Sequence, residues 1–174
     1  MILAFDPGLT GAIAVINPAT GHLEQVIDLP SMEKTHGKGR QLDPYLLGTI
    51  LSAFPQECVA GIERVAPMPG QGVTSMFGFG HTLGIIEGMC AARRYPTLFV
   101  LPQRWKKHFG LWKKEKDAAR TTAIRLYPHM AEMLTRKKDI NRADAILIAT
   151  YLYQQEKTYG YQEKDPTEAD HAQL

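Results

Sequence analysis

Cysteine is scarce in this chain of 174 residues, since Cys58 and Cys90 are the only two and both lie in apolar segments. This usage favours reduced thiols in a core over a disulfide framework or a zinc site. Long apolar runs are also missing, so the sequence predicts no transmembrane helix. The N-terminus lacks a basic region followed by a long apolar one. We therefore expect no signal peptide, no organelle-targeting extension and a cytoplasmic location.

Net charge is also small, at +2, but the charges are unevenly distributed. Most of the basic excess lies within residues 93–142, whereas the chain after Gln154 is rather acidic. A local basic cluster on a nearly neutral chain indicates one face that binds a polyanion. The alternative is a set of ordinary solvated helix faces. Length and apolar content predict one domain, placed at residues 1–153, followed by a poorly ordered polar tail at 154–174.

The first eleven residues, MILAFDPGLTG, combine a buried strand with a carboxylate and a tight turn. The apolar run at 1–5 predicts a strand covered on both faces, and Asp6 stands where that strand ends. A carboxylate there needs a partner, a hydrogen bond or a cation. The alternative is an Asp that simply opens the turn before a second strand at 12–16.

A later segment, CVAGI at 58–62, repeats this arrangement by ending a short apolar strand in Glu63. The alternative for Glu63 is a surface side chain paired with a basic neighbour. Further strands are predicted at 21–29 and 98–101, with helices between and after the later strands. The element order predicts an α/β fold, in which a mixed five-stranded sheet combines a three-strand antiparallel meander with two parallel strands and is flanked by helices.

The last motif is DINRADAILIA at 139–149, which leads into a buried helix reaching Tyr153. Asn141 as N-cap with Asp144 at the third helical position explains Asp144 without chemistry but leaves Asp139 unexplained. The alternative is a cluster of four acids, Asp6, Glu63, Asp139 and Asp144. Such a cluster raises its own pKa values unless cations neutralise it, and oxygen ligands select Mg²⁺ or Mn²⁺. Two such ions activate a water and stabilise the leaving oxygen of a phosphodiester.

Two polar or glycine-rich segments are predicted to be loops. SMEKTHGKGRQ at 31–41 is predicted to be a mobile surface loop. PMPGQGVTSMFGFG at 67–80 is predicted to be a glycine-rich loop before a helix at 81–94. Phe77 and Phe79 in this loop either stack on bases or pack the loop onto the core.

Several of these motifs resemble those of a known family. FDPGLTG at 5–11, IERV at 62–65 and RADAILIA at 142–149 resemble RuvC-type Holliday-junction resolvases of the RNase H-like superfamily. The glycine-rich segment, WKKHFGL at 105–111 and KKDINRADAILIA at 137–149 are most similar to the phage-encoded and chloroplast members. The resemblance covers residues 1 to about 153. It implies an RNase H-like fold, and a homodimer that makes paired nicks in four-way DNA junctions with two Mg²⁺ or Mn²⁺ ions per active site, in the cytoplasm of a bacterial or phage-infected cell.

The resemblance also assigns residues. Asp6, Glu63 and Asp144 match the family's catalytic and metal-binding acids, and Asp139 is the expected fourth, with Asn141 as the fallback. The helix at 81–94 is the expected dimer contact. The residues expected to contact DNA are Arg64, Gln71, Phe77, Phe79, Arg104, Lys106, Lys107, Lys113, Lys114, Lys116, Lys137, Lys138 and Arg142.

Three alternatives stay open at this point. The first is a nuclease of the same fold that acts on other branched DNA or on RNA, since the metal chemistry does not depend on branching. The second is a junction-binding protein that no longer cuts. The third is an actin-like ATP-binding protein, which usually needs a second lobe for which 174 residues leave little room.

Overall fold

The structure is a computed structural model that describes residues 1–64, 66, 70 and 72–159. In chain order, the strands and helices are β1 (Ile2–Phe5), β2 (Ala12–Ile16), β3 (Leu23–Asp28), β4 (Ser31–Glu33), β5 (Arg40–Leu42), α1 (Pro44–Ser52), β6 (Val59–Glu63), α2 (Val73–Ala92), β7 (Thr97–Val100), α3 (Pro102–His108), α4 (Asp117–Leu126) and α5 (Ile140–Tyr159). Two 3₁₀ helices, Pro128–Leu134 and Lys137–Asp139, connect α4 to α5.

The main sheet has five strands in the order β3-β2-β1-β6-β7. Strands β1, β2 and β3 pair antiparallel, whereas β6 pairs parallel to both β1 and β7. The predicted meander with two added parallel strands is therefore confirmed. Within the described residues, no helix is long and apolar enough to cross a membrane.

Helices cover both faces of this sheet, which explains why its central strands are continuously apolar. Along β1, Ile2 and Ala4 pack into the core beneath α4 and α5. The alternating residues Leu3 and Phe5 pack into a second core with α1 and α2. The period of two along an extended strand thus sends neighbouring side chains into separate cores.

The segment predicted to be a mobile loop at 31–41 is instead a two-stranded hairpin, so that prediction was wrong. Strands β4 and β5 pair antiparallel with Ser31 opposite Leu42. Gly37 and Gly39, both at positive φ, allow the chain to reverse at the tip. The Arg40 side chain donates from Nε to Ser31 Oγ over 2.9 Å and closes the base of the hairpin.

The segment predicted as a glycine-rich loop at 67–80 is helical from Val73 onward, because α2 runs without a break to Ala92. Each glycine costs an exposed helix up to about 1 kcal/mol. Tertiary packing of Ile86 and Cys90 against the sheet stabilises a long helix in spite of that cost. Phe77 and Phe79 therefore lie on a helix and not on a loop.

The start of α5 also differs from the prediction. The helix begins at Ile140, so Asn141 lies inside it and is not its N-cap. Capping hydrogen bonds belong instead to the preceding 3₁₀ helix, at whose start Asp139 accepts a 2.8 Å hydrogen bond from the Arg136 backbone N–H. At its other end α5 continues past Tyr153 to Tyr159, so the first residues of the predicted tail are helical. The remainder, 160–174, lies outside the described residues.

Candidate active site

Asp6 and Glu63 lie side by side at the C-terminal ends of β1 and β6, the two neighbouring parallel strands of the main sheet. The parallel register of β1 and β6 pairs Phe5 with Ile62, which carries the next residue of each strand to the same edge. Only 8% of Asp6 and 9% of Glu63 is exposed. The turn after β1 is tight, since a side chain at Gly11 would overlap the Asp6 carbonyl oxygen. The Gly8 N–H donates to Asp6 Oδ1 over 3.2 Å and orients that carboxylate.

Asp144 joins these two acids from the first turns of α5. Its Oδ1 atom is buried and has no hydrogen-bond partner among the described residues. The start of α5 is tied to the β1–β2 turn, because the Asn141 side-chain amide donates to both the carbonyl and the Oγ1 oxygen of Thr10, each over 2.8 Å. A buried carboxylate oxygen without a donor is an available ligand for a cation.

Burial destabilises the charged forms of all three acids, and neighbouring acids add to this effect at Asp6 and Asp144. Burial, reinforced by the charge of Glu63, raises the pKa of Asp6 to about 7. Burial, reinforced by the charge of Asp6, raises the pKa of Asp144 to about 7. The pKa of Glu63 is raised by burial as well. Such mutual repulsion is what a bound cation would relieve.

The donor chemistry of this cluster fits a hard divalent ion, because every candidate ligand atom is a carboxylate oxygen. In the part of the chain that the structure describes, however, no three His, Cys, Asp or Glu side chains are grouped closely enough to hold a metal ion between them. The acids are therefore neighbours that have to turn towards a cation in order to coordinate it.

Trp105 also belongs to this candidate site, although the sequence analysis did not identify it as a site residue. Its indole Nε1 donates to Glu63 Oε1 over 2.9 Å, and the side chain is fully buried. Lys106 Nζ lies 5.0 Å from the centre of the indole ring and lowers the pKa of all three acids. Both residues belong to α3, which begins directly after β7, next to β6 in the sheet. Ligand sites of α/β proteins lie at the C-terminal ends of parallel strands, so the position of Trp105 just after such a strand could have identified it.

The structure does not bring Asp139 into contact with this cluster. Its carboxylate, 2% exposed, pairs with the Arg136 guanidinium at 2.7 Å, and Arg142 Nη1 lies 3.6 Å away. The hydrogen bond from Arg136 is the main reason that the pKa of Asp139 lies below its usual value. Asp139 is thus charged and paired in this arrangement.

A cleft of about 860 Å³ leads to Asp144 and is rich in basic side chains. The predicted DNA-contacting residues that line it are Lys106, Lys113, Lys114, Lys116, Lys137, Lys138 and Arg142. Arg142 is held within the protein, because its guanidinium donates to both Asp28 oxygens over 2.6 Å. The lysines at 113–116, 137 and 138 are exposed.

The other predicted DNA contacts lie elsewhere. Arg64, Arg104 and Lys107 are exposed but do not line this cleft. Phe77 and Phe79 line a second groove. Gln71 lies outside the described residues.

Comparison with solved structures identifies the fold. T. thermophilus RuvC in complex with a Holliday junction substrate superposes with a TM-score of 0.59 over 91% of this chain and 96% of that chain, at 16% sequence identity. The chain has the RuvC fold. A second Thermus thermophilus RuvC structure gives a TM-score of 0.52 over 90% of this chain and 96% of that chain, at 14% identity.

Comparison with curated sequences supports the resemblance found in the motifs. The chain is 38% identical over 98 residues to the chloroplastic Holliday junction resolvase MOC1 of Chlamydomonas reinhardtii. The match covers 52% of this chain and only 10% of the length of that relative. No protein-family model matches. The predicted resemblance to RuvC-type and chloroplast resolvases is thereby confirmed.

Proposed function

We propose that this chain is a metal-dependent endonuclease that resolves four-way DNA junctions by hydrolysing phosphodiester bonds. The observation that carries the proposal is the convergence of Asp6, Glu63 and Asp144 at one edge of a RuvC-fold sheet, beside a lysine-lined cleft. The similarity to MOC1 and RuvC, whose names and titles concern Holliday junctions, supports the substrate. A cytoplasmic location stays a prediction.

In this proposal Asp6, Glu63 and Asp144 hold Mg²⁺ or Mn²⁺. Bound ions supply the activation of a water and the stabilisation of the leaving oxygen. The chain's own residues prepare the site: Gly8 and Trp105 orient two of the carboxylates through hydrogen bonds. Asp139 stays the predicted fourth ligand, with Asn141 as the fallback, and its use requires release from Arg136.

Substrate binding is assigned to the cleft and dimerisation to α2. Lysines 113, 114, 116, 137 and 138 present exposed ammonium groups suited to several phosphates at once. Two copies of the chain are proposed to pair through the predicted segment 81–94, which lies largely within α2. In support, Gly84 and Gly88 are exposed, and no other described side chain or element lies within 4 Å of where their side chains would project. Such positions permit close approach of a second helix.

The proposal is tested with a labelled synthetic four-way junction and a matched linear duplex, in Mg²⁺ and in Mn²⁺, for the wild type and Asp6→Asn. We expect paired nicks in the junction alone, absent from the variant. Equal cutting of both substrates would keep the nuclease chemistry and overturn the junction specificity.

A second candidate, a junction-binding protein that does not cut, is favoured by one observation. Among the described residues no three potential ligands are already grouped for a metal ion. Tight junction binding without cleavage in either ion would establish this candidate and overturn the nuclease.

Trp105→Phe is expected to slow junction cleavage by roughly 10- to 100-fold, the usual cost of losing an outer-shell partner of a metal ligand. The variant keeps the buried ring but removes the donor to Glu63. Because that hydrogen bond lowers the pKa of Glu63, the acidic limb of the pH–rate profile should also move to higher pH.

Tyr127→Phe is the matched control, since it removes a buried hydroxyl that accepts from Thr150, in contact with neither Asp6 nor Glu63. Its rate and pH profile should match those of the wild type. A Trp105→Phe enzyme with an unshifted pH profile would contradict the positioning role.

The metal-free protein is expected to lose stability as pH rises from about 4 to about 7. Asp6 and Asp144 have an ordinary pKa of 3.8 and a folded pKa of about 7, so within this window the folded state holds protons that the unfolded state has released. Stability therefore falls with rising pH. Since a cation binds the deprotonated acids, Mg²⁺ should raise the melting temperature at pH 8 far more than at pH 5.

Thermal melts with and without Mg²⁺ measure this effect, and the double variant Asp6→Asn/Asp144→Asn is the control. The control should lose both the pH slope and the Mg²⁺ shift. If Mg²⁺ raised the melting temperature of the double variant as much as that of the wild type, the ion would bind elsewhere.

A further inference from the structure

A second groove, of about 520 Å³, lies between the β4–β5 hairpin and the first turns of α2. The hairpin contributes Lys34, His36 and Arg40, and α2 contributes Phe77 and His81. Among the described residues, none that line this groove is acidic. The groove is therefore a cationic surface of its own.

The hairpin presents its basic side chains outward. Lys38 at the tip and His36 and Arg40 beside it are exposed, and Lys34 is half-buried in the groove wall. The Lys34 N–H donates to the Gly39 carbonyl over 3.0 Å and closes the loop at the tip, and the Arg40 side chain on Ser31 ties the two strands together. Glu33 lies opposite Arg40 in the hairpin but does not line the groove, so no acid faces these basic side chains across it among the described residues.

The opposite wall adds an aromatic surface. Phe77 is 77% exposed, and its ring lies parallel to that of His81 with centroids 6.4 Å apart. An exposed aromatic ring beside ammonium and guanidinium groups suits a nucleic-acid strand, which offers bases on one side and phosphates on the other.

The groove adjoins the active-site cleft. Leu9, in the turn that follows Asp6, lines both cavities. The two cavities are therefore neighbours that meet at this turn.

We infer that the groove between the hairpin at 31–42 and the start of α2 is a second nucleic-acid site, which binds the phosphate backbone of the substrate beyond the point of cleavage. The inference rests on the proposed function, since it extends the path of the same DNA. The hairpin supplies affinity and register, while the three acids remain the only proposed centre of cleavage.

The test is the double variant Lys34→Gln/Lys38→Gln, which leaves Arg40 to brace the hairpin. Affinity for the four-way junction is measured against salt concentration without divalent ions, and cleavage is measured at saturating junction with Mg²⁺. Loss of two phosphate contacts should make the slope of log K against log salt shallower by about 2. The cleavage rate at saturation should stay unchanged.

The charge-matched control is Arg125→Gln/Lys157→Gln, whose residues line neither cavity. It should bind with the wild-type slope. A hairpin variant whose slope equals that of the wild type overturns this site and leaves the proposed function intact. A wild type that binds no junction overturns the proposed function as well.

Discussion

Replacing Asp144 by asparagine is expected to slow junction cleavage by more than about 100-fold, with junction binding retained. Loss of an outer-shell partner alone costs about 10- to 100-fold, and Asp144 is proposed as a direct ligand. Asparagine preserves the shape of the side chain but removes the charge that a cation would neutralise. Single-turnover cleavage at saturating enzyme, together with a binding assay without divalent ions, separates the two effects.

Asp139→Asn is the matched comparison, because the two acids lie five residues apart and only Asp144 faces the other acids. We expect Asp139→Asn to lower the stability, since it removes the ion pair with Arg136. The pKa of Asp139 is lowered by folding, so its contribution is present above its ordinary pKa of 3.8 and is lost as pH falls through the lowered folded value.

The cleavage rate of Asp139→Asn then decides its role. A loss as large as that of Asp144→Asn would make Asp139 the fourth ligand, whereas a small loss would leave it as the partner of Arg136. Cleavage within about threefold of wild type by Asp144→Asn would contradict the proposed metal site.

The second large effect is expected at Gly61, in the middle of β6. A side chain at this position would overlap Leu152 Cδ1 of α5. Gly61→Ala should therefore lower the free energy of unfolding by about 1–3 kcal/mol through overpacking. Urea unfolding monitored by circular dichroism measures the change.

Leu152→Ala provides the decisive partner variant. Alone it should cost about 2–5 kcal/mol, since Leu152 is only 5% exposed. Combined with Gly61→Ala it should cost less than the sum of the two, because the added methyl group occupies the space that the leucine leaves. Strict additivity would contradict the proposed overlap.

Gly48→Ala is the control for a glycine that is not crowded. It lies within α1, and its nearest neighbour to an added side chain would be Met89 Sδ at 4.0 Å, an ordinary contact. We expect this change to stabilise the protein by about 0.5–1 kcal/mol, through helix propensity alone.

The positions of the strands along the chain could be predicted because the signals that specify them are local. Apolar runs at 1–5 and 58–62 are long enough for strands and too short for helices, and each ends in an acid. The start of α1 also depends on a local signal, since Asp43, directly before Pro44, accepts hydrogen bonds from the backbone N–H groups of Tyr45 and Leu46.

The two segments that were wrongly predicted as loops lack such local signals. Glycines in the segment at 67–80 indicated a loop, but α2 is stabilised by buried residues further along the same helix. The polar residues at 31–41 form a hairpin whose strands are only three residues each. Such strands are too short for the alternation of apolar and polar residues to be recognised.

By itself, the sequence determined which residue types end the buried strands, and from this it predicted that carboxylates gather at one end of a mixed sheet. Only the tertiary structure decided which acids share a site, because their partners are remote in the chain. Trp105 donates to Glu63 across 42 residues, and Arg142 binds Asp28 across 114. The pairing of Asp139 with Arg136 is local, but Asp144 faces Asp6 only because α5 packs against β1. Side-chain pairing over such distances depends on how helices pack, which no local pattern encodes.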